Sequence, residues 1–111
     1  LTPAREAAER FAGAAARVRA ETSAALAAGD AARLDAINRR LMAAERAFLD
    51  PSGIPGRPWY RHQIYAPKFT YAPELLPGVA AAIESGDSAQ VAGQARRLAA
   101  ALDRAAAALA K

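Results

Sequence analysis

Six of the seven prolines in this 111-residue chain fall between positions 51 and 77. Proline has no backbone N–H and its ring clashes with the preceding helical turn, so no regular helix can run through that stretch. The residue before each proline is also pushed towards extended geometry. Helices must therefore lie on either side. Those sides, residues 1 to 48 and 79 to 111, hold 32 of the 34 alanines, the residue with the highest helix propensity. Two helical arms around a non-helical middle follow from these placements alone. The length suits one domain, and folding at this size buries roughly two thirds of the unfolded surface. A core is thus possible without disulfides, which the absence of cysteine excludes.

The first arm opens with Thr2-Pro3, read as an N-cap followed by proline at the first helical position. Ala4, Ala7, Phe11, Ala14, Val18 and Ala25 then recur at helical spacing and paint one apolar stripe. Gly29 reads as the stop and Asp30 as the cap of a second helix with the stripe Leu34, Ile37, Leu41, Ala44 and Phe48. The second arm repeats the pattern. A short helix follows Pro77-Gly78 and stops at Gly86; Asp87 with Gln90 resembles a capping box, and Val91, Ala95, Leu98, Leu102, Ala105 and Leu109 give the last stripe. The expected fold is all-α: a four-helix bundle of two hairpins, with helices at about 3–28, 30–49, 77–85 and 88–110 and an ordered loop over 50–76.

Several function classes are excluded or disfavoured. One histidine and no cysteine cannot build a zinc site from several such ligands, and no thiol chemistry is available. No uncharged run approaches the roughly 20 residues that span a bilayer, so no membrane partner is expected. The net charge of +4 and pI near 10.1 invite a nucleic-acid reading. Acidic residues are interleaved with the basic ones, however, and Arg39-Arg40 and Arg96-Arg97 are the longest basic runs. Such mixing describes solvated helix faces, so no nucleic-acid partner is expected. The chain begins with Leu1 and carries no signal-peptide pattern, and it reads as an excised piece of a longer protein.

The middle, Leu49 to Pro77, has no sustained period of 2 or 3.6. Loops of that length in a compact domain are usually functional or disordered. Trp59, Tyr60, Ile64, Tyr65, Phe69 and Tyr71 are too many apolar anchors for a solvated segment, and the prolines reduce the entropy lost on ordering. The reading is an ordered excursion, packed on the helices or reaching to a partner.

The run Glu45-Arg46-Ala47-Phe48-Leu49-Asp50-Pro51-Ser52-Gly53-Ile54-Pro55-Gly56-Arg57-Pro58-Trp59-Tyr60-Arg61-His62-Gln63-Ile64-Tyr65-Ala66-Pro67 resembles the transferrin-receptor-like dimerisation domain. That domain is the C-terminal helical part of glutamate carboxypeptidase II and of the transferrin receptor. The likeness resumes at Tyr71 and runs through Leu76-Pro77-Gly78-Val79 into Ile83-Glu84. It implies a four-helix bundle that docks on the protease-like and apical domains of its own parent and builds a homodimer. In the peptidase members it also implies a loop that reaches the active-site mouth. Catalysis, with two zinc ions, belongs to a separate domain, so this piece is expected to be no enzyme and to hold no cofactor.

The resemblance further implies a Lys-Tyr pair contacting the C-terminal glutamate of a substrate. Tyr71 falls on the Tyr; Thr70 stands in the place of the Lys, and Lys68 is the alternative cation. Arg57, Trp59, Tyr60, Arg61, His62, Tyr65 and Phe69 are the loop and interface candidates, with Trp59, Tyr60 and Phe69 the expected exposed anchors. His62 lacks a Cys, Ser or second His at a telling spacing and reads as structural. Arg46, Arg57 and Arg61 are expected to tie the loop to Asp50, Glu45 and backbone carbonyls. The bias to Arg and Ala points to a GC-rich bacterial gene and a secreted or periplasmic parent. Two other readings stay open: the interaction domain of a non-catalytic, receptor-like parent, and a free-standing basic helical bundle that binds nucleic acid.

Overall fold

A computed structural model describes residues 1–67 and 72–111. It contains four helices, α1 (Thr2–Ala28), α2 (Ala31–Ala47), α3 (Pro77–Ser85) and α4 (Ser88–Ala110), and two short strands, β1 (Tyr65–Ala66) and β2 (Glu74–Leu75). The helix boundaries follow local chemistry. Asp30 caps α2 by accepting from the Arg33 N–H at 3.0 Å, and Asp87 caps α4 by accepting from Ala89 and Gln90. Thr2 does not cap α1. Leu1 holds that position, its carbonyl accepting the Arg5 N–H, and Thr2 is already helical. α2 ends at Ala47 rather than 49, because Leu49 turns away to bridge His62.

The helices share α4 as their common neighbour, and α1 and α2 touch each other far less than either touches α4. Arg10 of α1 pairs with Asp103 at 2.8 Å, while Val18, two turns later, lies with Leu109 around one cavity, so α1 and α4 run parallel. α2 runs the other way: Arg40 donates to the Leu109 carbonyl at 2.9 Å, and the Ala47 carbonyl accepts from Arg104. α3 covers the first half of α4, where Gly78 lies directly against the Gln94 side chain. α2 and α3 thus succeed one another along α4, which fits the elongated extents of 52 × 29 × 23 Å.

The core is built mainly from alanine. Ala7, Ala25, Ala82, Ala101 and Ala105 are fully buried, and Val18, Ile37, Phe48, Leu98, Leu102 and Leu109 supply the larger surfaces. Small side chains let helix axes approach closely at little entropic cost. The middle is not strand-free, although the sequence shows no strand period there. β1 and β2 pair antiparallel, Tyr65 with Leu75 and Ala66 with Glu74. Period-2 patterning cannot reveal strands of two residues, since too few positions exist to alternate.

Candidate functional site

The excursion between α2 and α3 contains nearly all the residues singled out in the sequence, and among the described residues three tethers hold it. The first begins at Asp50. Its carboxylate accepts two bonds from Arg97 on α4, at 2.7 and 2.9 Å, and a third from the Ser52 N–H at 2.9 Å. Its carbonyl accepts from Gly53, and its own N–H donates to the Arg61 carbonyl. Asp50 is buried, which pushes its carboxyl group up. The Arg97 and Ser52 bonds, with the field of Arg97 and Arg104, more than offset this and hold it below its ordinary value.

This arrangement forces a tight turn. Gly53 has φ 71, and a Cβ added there would meet the Pro58 backbone at 2.3 Å, so only glycine fits. Ile54 is buried beneath the turn and its N–H is satisfied by the Tyr60 carbonyl.

The second tether is aromatic. Phe11 of α1 meets Phe48 edge-on at 5.6 Å, Phe48 lies 5.9 Å from the His62 ring, and His62 lies 4.4 Å from Tyr65. His62 Nδ1 accepts from the Ile64 N–H at 3.2 Å, so the network assigns the ring proton to Nε2, which donates to Glu45 at 3.0 Å. Both nitrogens are therefore engaged. Next to it, buried Gln63 donates its N–H to the Phe48 carbonyl. Tyr60 donates its hydroxyl to the Tyr65 carbonyl, and burial, reinforced by Tyr65, pushes its phenol up.

The third tether is Arg57 with Glu74, at 2.7 Å, joining the first turn of the excursion to β2. The Leu76 N–H then donates to the Ile64 carbonyl at 2.7 Å and closes the excursion where α3 starts.

The expected pairing of the loop arginines is thus corrected. Arg57 is paired, but with Glu74; Asp50 takes Arg97 from α4, and Glu45 takes His62. Arg46 and Arg61 are exposed. The sequence does not single out Arg97, because half of a basic doublet carries no sign of its partner. Of the expected exposed anchors, Trp59 stands 74% exposed, Tyr60 is half-buried, and Phe69 lies outside the described residues. Lys68, Thr70 and Tyr71 also lie outside them.

Among the described residues this chain assembles no zinc centre. Its single histidine is committed at both nitrogens, and among the described residues no group of three or more metal-ligating side chains comes together. No helix among them is long and apolar enough to cross a membrane. What the geometry offers is a pinned, proline-rich platform with an indole at its surface.

The sequence profile described as the transferrin receptor-like dimerisation domain matches residues 1–110. Relatives include a protein named an inactive zinc metalloprotease from Schizosaccharomyces pombe, 40% identical over 73 residues, covering 65% of this chain and 9% of the relative. A probable glutamate carboxypeptidase of Zea mays is 47% identical over 49 residues, 42% of this chain and 7% of its own length. Another from Arabidopsis thaliana is 49% identical over 51 residues, 44% of this chain and 8% of its own. The chain therefore spans less than a tenth of the curated relatives it matches.

Proposed function

The chain belongs to the transferrin receptor-like dimerisation domain family, and from that premise we propose that residues 1–111 form the dimerisation and interdomain-docking module of a larger zinc peptidase similar to glutamate carboxypeptidase. The single observation that carries this is the match of the family profile across residues 1–110. In this reading the four helices act as one bundle and the excursion docks on the parent's protease-like and apical domains. Zinc and hydrolysis belong to the catalytic domain of that parent. Support comes from the exposed Trp59 on a pinned backbone, since a rigid aromatic anchor gives contact area at small entropic cost.

The segment carrying Tyr71 is proposed to reach the substrate site. Its flanks, Ala66 and Glu74, are held together by the β1–β2 pairing. If the Tyr71 hydroxyl donates to a substrate carboxylate, Tyr71→Phe costs about 1.5–3 kcal/mol, the range for bonds to charged groups. That is roughly a ten- to hundredfold loss in kcat/KM. With Thr70 in the place of a lysine, preference for a C-terminal glutamate is weak, and Thr70→Lys strengthens it; Lys68 is the second cation to test.

The experiment assays the complete parent on paired dipeptides ending in glutamate or leucine, before and after each substitution, with oligomeric state measured alongside. Unchanged kinetics for Tyr71→Phe would leave the excursion structural. A second reading has its own observation, the relative named inactive: a parent that dimerises but hydrolyses no peptide. Absence of zinc-ligand residues upstream in the parent reading frame would select it.

A further inference from the structure

Among the described residues, two apolar grooves on the helices differ in their charges. The first lies where α1 and α2 part over α4: Phe11, Val18, Phe48 and Leu109 line a cavity of about 540 Å³, with Leu41 at its edge. Leu41 falls on the apolar stripe of α2 yet is 45% exposed, and the adjacent Met42 is 53% exposed. Arg19 from α1 and Glu45 from α2 flank the cavity. Arg19 has no ion partner among the described residues, and Glu45 commits only its Oε1, to His62. The second groove, of about 500 Å³, lies between Leu1 beside α1, Leu76 and Ile83 around α3, and Leu98 of α4; Arg5 is the one charged residue among those that line it.

We propose that the α1–α2 groove, centred on Leu41, is the face on which a second copy of this chain docks. The inference rests on the dimerisation reading and deepens it by naming the surface. A two-fold interface brings a patch against itself, so the patch must carry both members of every charge pair. Arg19 and Glu45 meet that condition, each reaching the opposite charge of the other copy. The groove with Arg5 alone does not, since a two-fold would set like charges together. Shape agrees as well: α1 and α2 with the floor of α4 make a three-helix section, and a helix laid between α1 and α2 completes a four-helix one. The 17 residues of α2 give a strip about 25 Å long and two helices wide, about 500 Å² before surface relief, the scale of one side of a small specific interface.

The test uses the 111-residue chain in sedimentation velocity, with circular dichroism as the check on folding. Leu41→Glu buries a charge in the proposed interface and should weaken the dimer about tenfold or more at unchanged helix content. Ile83→Glu, on the other groove, should change it less than about threefold. Because the chain has no cysteine, Met42→Cys introduces a unique thiol near the proposed two-fold. Air oxidation should yield a covalent dimer for Met42→Cys and little for Ile83→Cys. That second readout decides the matter if Leu41→Glu does not fold. A wild-type dimer untouched by Leu41→Glu, or cross-linking that favours position 83, overturns the surface while leaving dimerisation standing. A wild-type chain that stays monomeric at high concentration overturns the dimerisation reading together with it.

Discussion

α2 and the excursion that follows it are both anchored on α4, but by different physics. α2 is held mainly by apolar burial, with Ile37 and Ala44 in the core and Phe48 just past its end, although Arg40 also bonds Glu21 and the Leu109 carbonyl. Among the described residues from Leu49 to Leu76 few side chains are buried, the apolar Ile54 and Ala66 and the polar Asp50 and Gln63 chief among them. There the attachment comes from directional contacts: Asp50 with Arg97, Arg57 with Glu74, and the His62 network. Apolar burial is summed over many atoms, so each methyl group matters little by itself. Directional attachment concentrates on a few groups, and losing one partner strands the other. The excursion should therefore be more sensitive to single substitutions, and the pinned geometry gives a docking surface its fixed shape.

The sharpest test is Gly53→Ala. A left-handed φ and an added methyl group driven into the Pro58 backbone combine, so the expected loss is about 3 kcal/mol or more, read in chemical denaturation. Gly56 is the matched comparison. It has φ 75, but an added methyl group would meet nothing within 4 Å, so Gly56→Ala should cost only about 1 kcal/mol. Equal losses at the two positions would mean that backbone strain, not the close approach of Pro58, sets the turn.

Next is Asp50→Asn, expected to cost about 2 kcal/mol through weaker bonds to Arg97 and Ser52. It also carries a pH signature. Asp50, Asp103 and Glu21 all have carboxyl groups held below their ordinary values: at Asp103 and Glu21 the first cause is the arginine bond, from Arg10 and Arg40. A lowered folded-state value means that the unfolded chain takes up the proton first as pH falls. The stabilisation is thus fully present above the ordinary carboxyl range and is lost as pH falls through the folded values. Denaturation midpoints measured from neutral pH downwards should decline, and the decline should be shallower in Asp50→Asn.

The same contrast explains what is legible in the sequence. Helix positions can be read because each depends on neighbours three and four residues away, and Asp30 and Asp87 cap where expected. Asp50–Arg97 spans 47 residues and Arg57–Glu74 spans 17, and no local pattern encodes such a choice of partner. The stripe on α2 is plainly apolar in sequence, but periodicity does not say what covers a stripe: Ile37 faces the core and Leu41 does not. The family resemblance points to the excursion as the functional part while leaving its tethers unseen.

In the helical part the expected sensitivity is to added volume. Ala105 is fully buried, so Ala105→Leu forces helices apart and should cost about 1–3 kcal/mol. A smaller loss in denaturation would mean that the alanine-lined core yields more readily than close packing implies.

The smallest effect on stability should come from the most conspicuous residue of the excursion. Trp59 is 74% exposed and makes no side-chain hydrogen bond among the described residues. Removing an exposed side chain away from caps, turns and ion pairs usually changes stability by no more than about 0.5 kcal/mol, so Trp59→Ala should leave the denaturation midpoint of this chain nearly unchanged. In the complete parent the same substitution meets a different environment. If the indole is an anchor for a neighbouring domain, its loss should weaken that contact by about 2 kcal/mol, read as earlier thermal unfolding or readier proteolysis between the domains. The pair of measurements separates a surface kept for docking from one that is merely solvated: a midpoint unmoved in both settings would make Trp59 an ordinary exposed side chain and take from the excursion its principal contact.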